Sequence, residues 1–131
     1  MSVFGFIDKV AEFKKGESLT AYYILTGKEE FLKDHFKNFP VMPGVLLLEM
    51  AKQAAGEFLQ LSNGSGRKYY RLASAEEVRF GQFVKPGSQL KVSVRLLKHE
   101  AETDLFDGRV DLMNPPFGKA LSATLALAPV S

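Results

Sequence analysis

An imidazole at His35 and a carboxyl at Glu49 flank the segment Phe36-Lys37-Asn38-Phe39-Pro40-Val41-Met42-Pro43-Gly44-Val45-Leu46-Leu47-Leu48. A histidine with an ordinary pKa of about 6.5 takes or gives a proton near neutral pH. A carboxyl whose pKa is raised by burial can act as its opposite number. The two residue types together could form a proton-transfer site, with a base before a Pro-Gly turn and an acid just inside an apolar helix. Residue types alone leave His35 open between a base and an ordinary surface side chain, and Glu49 open between an acid and part of a solvated stripe. The chain has no cysteine and two histidines, His35 and His99. This excludes thiolate nucleophiles, thiolate zinc sites and disulfides, and neither a metal nor a cofactor is expected.

The elements that must position these groups follow from pattern. Residues 45–61 carry Leu47, Leu48, Met50, Ala51, Ala54, Ala55, Phe58 and Leu59 around most of a helical circumference. Glu49, Gln53, Glu57 and Gln60 are left as a narrow polar stripe, so the helix is expected to be buried on nearly all sides. Pro40 and Pro43 forbid regular structure before Gly44, while Ser62-Asn63-Gly64-Ser65-Gly66 breaks the helix at its far end. Residues 4–13 are apolar with interspersed charge, and 28–34 could form one short helical turn.

Strands are expected at 18–26, 69–73, 77–83, 89–97, 104–113 and 120–128. Leu90, Val92, Val94 and Leu96 show period two most clearly. Turns fall at Lys85-Pro86-Gly87-Ser88 and Asn114-Pro115-Pro116-Phe117-Gly118. One nearly all-apolar helix with five or six antiparallel strands predicts an α+β domain whose sheet wraps a central helix. A sheet of this kind has edges, and pairing with a second copy is the usual way to cover one.

At 131 residues, residues 1–131 are read as one domain. The hydrophobic fraction of 46% and charged fraction of 24% suit a globular chain. A net charge of +2 with dispersed lysines and arginines gives no case for nucleic acid. Apolar runs such as Val45 to Leu48 are far below the roughly 20 residues of a membrane span. Met1-Ser2-Val3-Phe4 shows no signal-peptide pattern, and a cytoplasmic location is the expectation.

From His35 onward the chain resembles the 3-hydroxyacyl-acyl-carrier-protein dehydratases. Their signature runs roughly Gly-His-Phe-Pro-x-x-Pro-x-x-Pro-Gly-Val-Leu-x-x-Glu-x-x-x-Gln. Phe36, Pro40, Pro43, Gly44, Val45, Leu46, Glu49 and Gln53 fall in register behind His35, whereas Asp34 stands at the first glycine and Lys37-Asn38 follow Phe36. Val78-Arg79-Phe80-Gly81-Gln82-Phe83-Val84-Lys85-Pro86-Gly87-Ser88-Gln89-Leu90 is similar to the family's strand-turn-strand segment, and Phe6-Ile7-Asp8-Lys9-Val10 to its N-terminal segment.

The resemblance implies a hotdog fold and dehydration of (3R)-hydroxyacyl thioesters on acyl carrier protein to trans-2-enoyl thioesters, in fatty acid or related lipid and polyketide synthesis. It implies a homodimer with shared sites, and leaves a dimer and a hexamer built as a trimer of dimers both open. His35 of one chain would take the C2 proton and Glu49 of the other would protonate the departing C3 hydroxyl. Backbone N–H groups of Gly44 and Val45 would face the thioester carbonyl. The Val41 carbonyl would fix the imidazole tautomer, and Gln53 would position Glu49 or cap a backbone group. Phe36, Phe39, Met42, Arg79 and Phe80 are candidates for the acyl tunnel. Two other readings stand beside this one: a hotdog thioesterase or coenzyme A-linked hydratase, and a non-catalytic subunit that binds acyl thioesters. His99 is assigned no role, and Gly108 marks a bulge or a close approach.

Overall fold

The computed structural model describes residues 5–26, 28–29, 41–63 and 69–130. Strands β1 (Lys9–Lys14) and β2 (Ser18–Ile24) precede one helix, α1 (Gly44–Asn63). Strands β3 (Tyr70–Phe80), β4 (Gln89–Glu100), β5 (Thr103–Leu112) and β6 (Gly118–Pro129) follow. The six strands form one antiparallel sheet in the order β1-β2-β4-β5-β6-β3, so β1 and β3 are its edges. This is the α+β hotdog arrangement expected from the sequence.

The helix lies against the sheet through Leu47, Met50, Ala51, Ala54, Ala55, Phe58 and Leu59, all buried. Small residues on this face let the backbones approach. A Cβ placed on Gly108 would lie 3.2 Å from Leu125 Cδ1 and 3.5 Å from Ala51 Cβ. Gly108 keeps regular register between Val94 and Ala123, so its role is close approach and not a bulge. Phe58 carries the load at the other end of the helix, meeting Phe106 edge-on at 5.5 Å and Phe13 at 5.7 Å.

The core of the described residues contains no buried polar or charged side chain, which leaves the polar stripe of α1 at the sheet's margin. Glu49, Gln53, Glu57 and Gln60 are all half-buried. The burial on nearly all sides that the pattern suggested fails at both ends of α1, where Val45 and Leu61 are exposed.

Two strand expectations are corrected. Residues 69–73 and 77–83 belong largely to one strand, β3, and the sequence pattern is interrupted because its register against β6 shifts at Leu72/Ser74 and again at Glu76/Arg79. Glu77 takes φ 51° at the second irregularity, and each extra residue inverts the alternation of faces. Residues 9–14, read only as apolar with charge, form β1. Of the short turn expected at 28–34, residues 30–34 lie outside the described residues.

Candidate active site

Pro43 precedes the first residue of α1, and its carbonyl accepts the N–H of Leu46 at 3.0 Å. The approach to the helix is tied to the chain beyond β3 by a Met42 N–H bond to the Val84 carbonyl, 2.8 Å. Val41 and Met42 are buried here, Met42 within the core cluster. A Cβ on Gly44 would lie 2.8 Å from Cε1 of Phe80, so a larger residue at the helix start would push that exposed ring aside. The ring of Phe80 therefore covers the glycine face of the first turn. As the opening residues of a helix, Gly44 and Val45 have N–H groups with no intrahelical carbonyl to bond. Val45, Phe80 and Phe83 are all exposed in the single chain.

Glu49 follows one turn into the helix, on the same side as Val45. Its Oε2 accepts a hydrogen bond from Gln53 Nε2 at 2.9 Å. Its Oε1 lies 3.8 Å from Lys52 Nζ, and the two side chains keep 24% and 26% exposure. The carboxyl is thus half-covered, with one oxygen engaged by an amide and the other beside an ammonium. Gln53 is held in turn, since its Oε1 accepts the main-chain N–H of Phe6 at 2.7 Å. The Phe6 ring is fully buried and packs edge-on against Tyr23, with centroids 5.4 Å apart and planes at 87°.

Tyr23 donates its hydroxyl to Glu29 Oε2 at 2.7 Å, and Glu29 also accepts from Thr26 N at 3.0 Å and Thr26 Oγ1 at 3.2 Å. Burial first, then the Glu29 hydrogen bond and the negative charges of Glu29 and Asp8, hold the Tyr23 phenol well above its usual range.

His35, Phe36 and Phe39 lie outside the described residues. The structure therefore brings together Glu49 with Gln53, and Gly44 with Phe80. Arg79 is exposed on β3, opposite Ser122 in the ladder. His99 is also exposed, its Nδ1 2.6 Å from Asp104 Oδ1. A cavity of about 480 Å³ opens at the other end of α1, bounded by Phe58, Ser62, Tyr70, Leu96 and His99 among others. Its helical wall begins roughly 14 Å along the helix from Glu49, and it does not serve that carboxyl. Among the described residues no cluster of three or more acidic or imidazole side chains could hold a metal ion, and no helix is long and apolar enough to cross a membrane.

A family model described as a FabA-like domain matches residues 1–113. The chain belongs to the FabA-like family. Its similarity extends to curated relatives named 3-hydroxyacyl-[acyl-carrier-protein] dehydratase FabZ. The one from Nitratidesulfovibrio vulgaris (strain DP4) is 37% identical over 105 residues, covering 79% of this chain and 68% of the relative. The one from Shewanella woodyi is 37% identical over 106 residues, covering 79% and 70%.

Among solved structures, the FabA-like chain is similar in fold to the dehydratase heterocomplex ApeI:P from Xenorhabdus doucetiae. That match has TM-score 0.79 and 15% identity, over 97% of this chain and 84% of that one. It is also similar in fold to smu.793 from Streptococcus mutans UA159 bound to acetyl CoA, with TM-score 0.71 and 16% identity, over 100% and 94%.

Two residues of this FabA-like site were not singled out from sequence. Lys52 had a signal, since residues three apart on a helix are neighbours. The Phe6 main-chain amide had none, because it reaches Gln53 from 47 residues away through the tertiary fold.

Proposed function

We propose that this chain dehydrates (3R)-hydroxyacyl thioesters carried on acyl carrier protein, giving the trans-2-enoyl thioesters of fatty acid or related lipid synthesis. The observation that carries this reading is the match to the FabA-like family and to dehydratases at 37% identity, in a chain whose Glu49 has a defined hydrogen-bonded setting on α1. A proton next to a thioester carbonyl is weakly acidic, so the elimination needs three parts: a base, a dipole facing the developing enolate, and an acid for the leaving hydroxyl.

In this proposal His35 takes the C2 proton. The electrons of that C–H bond form the C2–C3 double bond as the C3–O bond breaks, and Glu49 protonates the oxygen so that water leaves. The free N–H groups of Gly44 and Val45 stabilise charge on the thioester oxygen. The Val41 carbonyl sets the imidazole tautomer. Phe36, Phe39, Met42, Phe80 and Arg79 shape the path of the acyl chain.

The partial exposure of Glu49, together with the uncovered Val45 and Phe80, supports a homodimer in which a second chain closes the mouth of α1 and supplies His35 to it. Trimerisation of such dimers into hexamers extends the same proposal.

The test is direct. The protein is incubated with a 3-hydroxyacyl thioester of acyl carrier protein while enoyl absorbance is followed, with a thiol reagent reporting hydrolysis. Enoyl formation is expected, and His35→Ala and Glu49→Ala should each lower it by at least about a hundredfold. Free thiol without enoyl product would identify a thioesterase instead, and binding without either product would identify a non-catalytic acyl-thioester subunit.

A further inference from the structure

We propose that the main-chain N–H of Phe6 is a positioning group for the acid: it selects one orientation of the Gln53 carboxamide and thereby assigns the acidic proton of Glu49 to Oε1. This inference rests on the dehydratase reading and adds to it a role for the N-terminal segment.

The assignment follows from which atoms can donate. A peptide N–H only donates, so the group 2.7 Å from Phe6 N must be the Gln53 oxygen. The opposite end of the carboxamide, 2.9 Å from Glu49 Oε2, is then the NH₂ group, which also only donates. Oε2 must accept, whichever charge state Glu49 adopts. A proton on the carboxyl belongs on Oε1, the oxygen that the Gln53 amide does not engage. The flipped carboxamide would set two donors face to face at 2.7 Å, so the Phe6 amide excludes it whatever the charge of Glu49. That amide is itself fixed, because the Phe6 ring is fully buried and stacked edge-on against Tyr23. Among the described residues the charged group beside Glu49 is Lys52, 3.8 Å from Oε1. Tyr23 and Glu29 lie beyond the Phe6 ring.

The decisive variant replaces the Phe6 amide by an ester, through incorporation of phenyllactic acid at position 6, which removes the N–H and keeps the ring. A kcat lowered by roughly tenfold, with KM within about twofold and a melting midpoint lowered by no more than the loss of one hydrogen bond, is the expected result. Gln53→Glu gives a second readout that a structural role would not produce. Its carboxylate still accepts from Phe6 but donates to Glu49 only when protonated, and two adjacent carboxyls hold one proton between them. Relative to the parent protein at the same pH, the kcat of this variant should be depressed at pH 8 and recover toward pH 5.5, while Gln53→Met stays depressed throughout.

An ester variant with the parent kcat, or a Gln53→Glu variant with no recovery at low pH, would overturn the inference. Failure of the parent protein to form enoyl product would instead sink the dehydratase reading. The side-chain amide resonances of Gln53 then decide the structural claim independently. They should move in Glu49→Gln, and resonances indifferent to that substitution would refute the contact.

Discussion

Glu49 and Gln53 are one helical turn apart, and their types and spacing were readable before any fold was known. Their actual environment was not. The sequence pattern left Glu49 open between a buried acid and part of a solvated stripe, whereas in the single chain the carboxyl is shared between Gln53 and Lys52 and keeps a quarter of its exposure. Local spacing reports what shares a helix face, while Phe6 arrives from a distant segment that no periodicity encodes.

The glycines make a test at the same scale. A Cβ on Gly81 would lie 2.1 Å from the Lys119 carbonyl oxygen, which already accepts the Gln82 N–H at 2.9 Å. Backbone cannot rotate away. A Cβ on Gly108 meets instead the tip of Leu125 at 3.2 Å, and a side chain can give by a few tenths of an ångström. Gly81→Ala should therefore cost more than about 2 kcal/mol and Gly108→Ala under about 1 kcal/mol. Urea unfolding of the two variants measures the difference, and equal losses would contradict it.

At the scale of elements, regular alternation was legible and irregular alternation was not. β4 reads plainly from Leu90, Val92 and Val94, all buried. β3 was split in two because its register shifts twice against β6. β1 was missed because, as an edge strand, it buries little and carries Lys9, Glu12 and Lys14.

The end of β2 is tied to the segment just after it through Tyr23, whose hydroxyl donates to Glu29. A phenol held above its ordinary pKa of about 10 favours the folded state while it is protonated. That contribution is complete below the unfolded value and is lost as pH rises toward the folded one. The stability gap between the parent protein and Tyr23→Phe should therefore be about 2 kcal/mol at pH 8, the scale of a hydrogen bond to a charged group, and should shrink above pH 10. Melting curves from pH 8 to 11 check this, since other alkaline titrations are common to both proteins. A gap that stays constant or widens would contradict the assignment.

For the whole molecule, the sheet order leaves β3 as an eleven-residue edge, and the mouth of α1 shows Val45, Phe80 and Phe83 to solvent. Both features fit a chain whose acid becomes functional against a second copy. The motif that made the chemistry legible lies within one chain, but a shared site is a property of two, and only the resemblance pointed to it. Complementation between inactive variants measures this most directly.

His35→Ala and Glu49→Ala proteins are mixed, exchanged through mild denaturant and assayed for enoyl formation. If each site takes its imidazole from one chain and its carboxyl from the other, a mixed dimer has one site with both defects and one site with neither. With random exchange half the dimers are mixed, so activity should return to about a quarter of the parent value. A mixture that forms mixed dimers yet remains as inactive as either variant alone would contradict a site shared between chains.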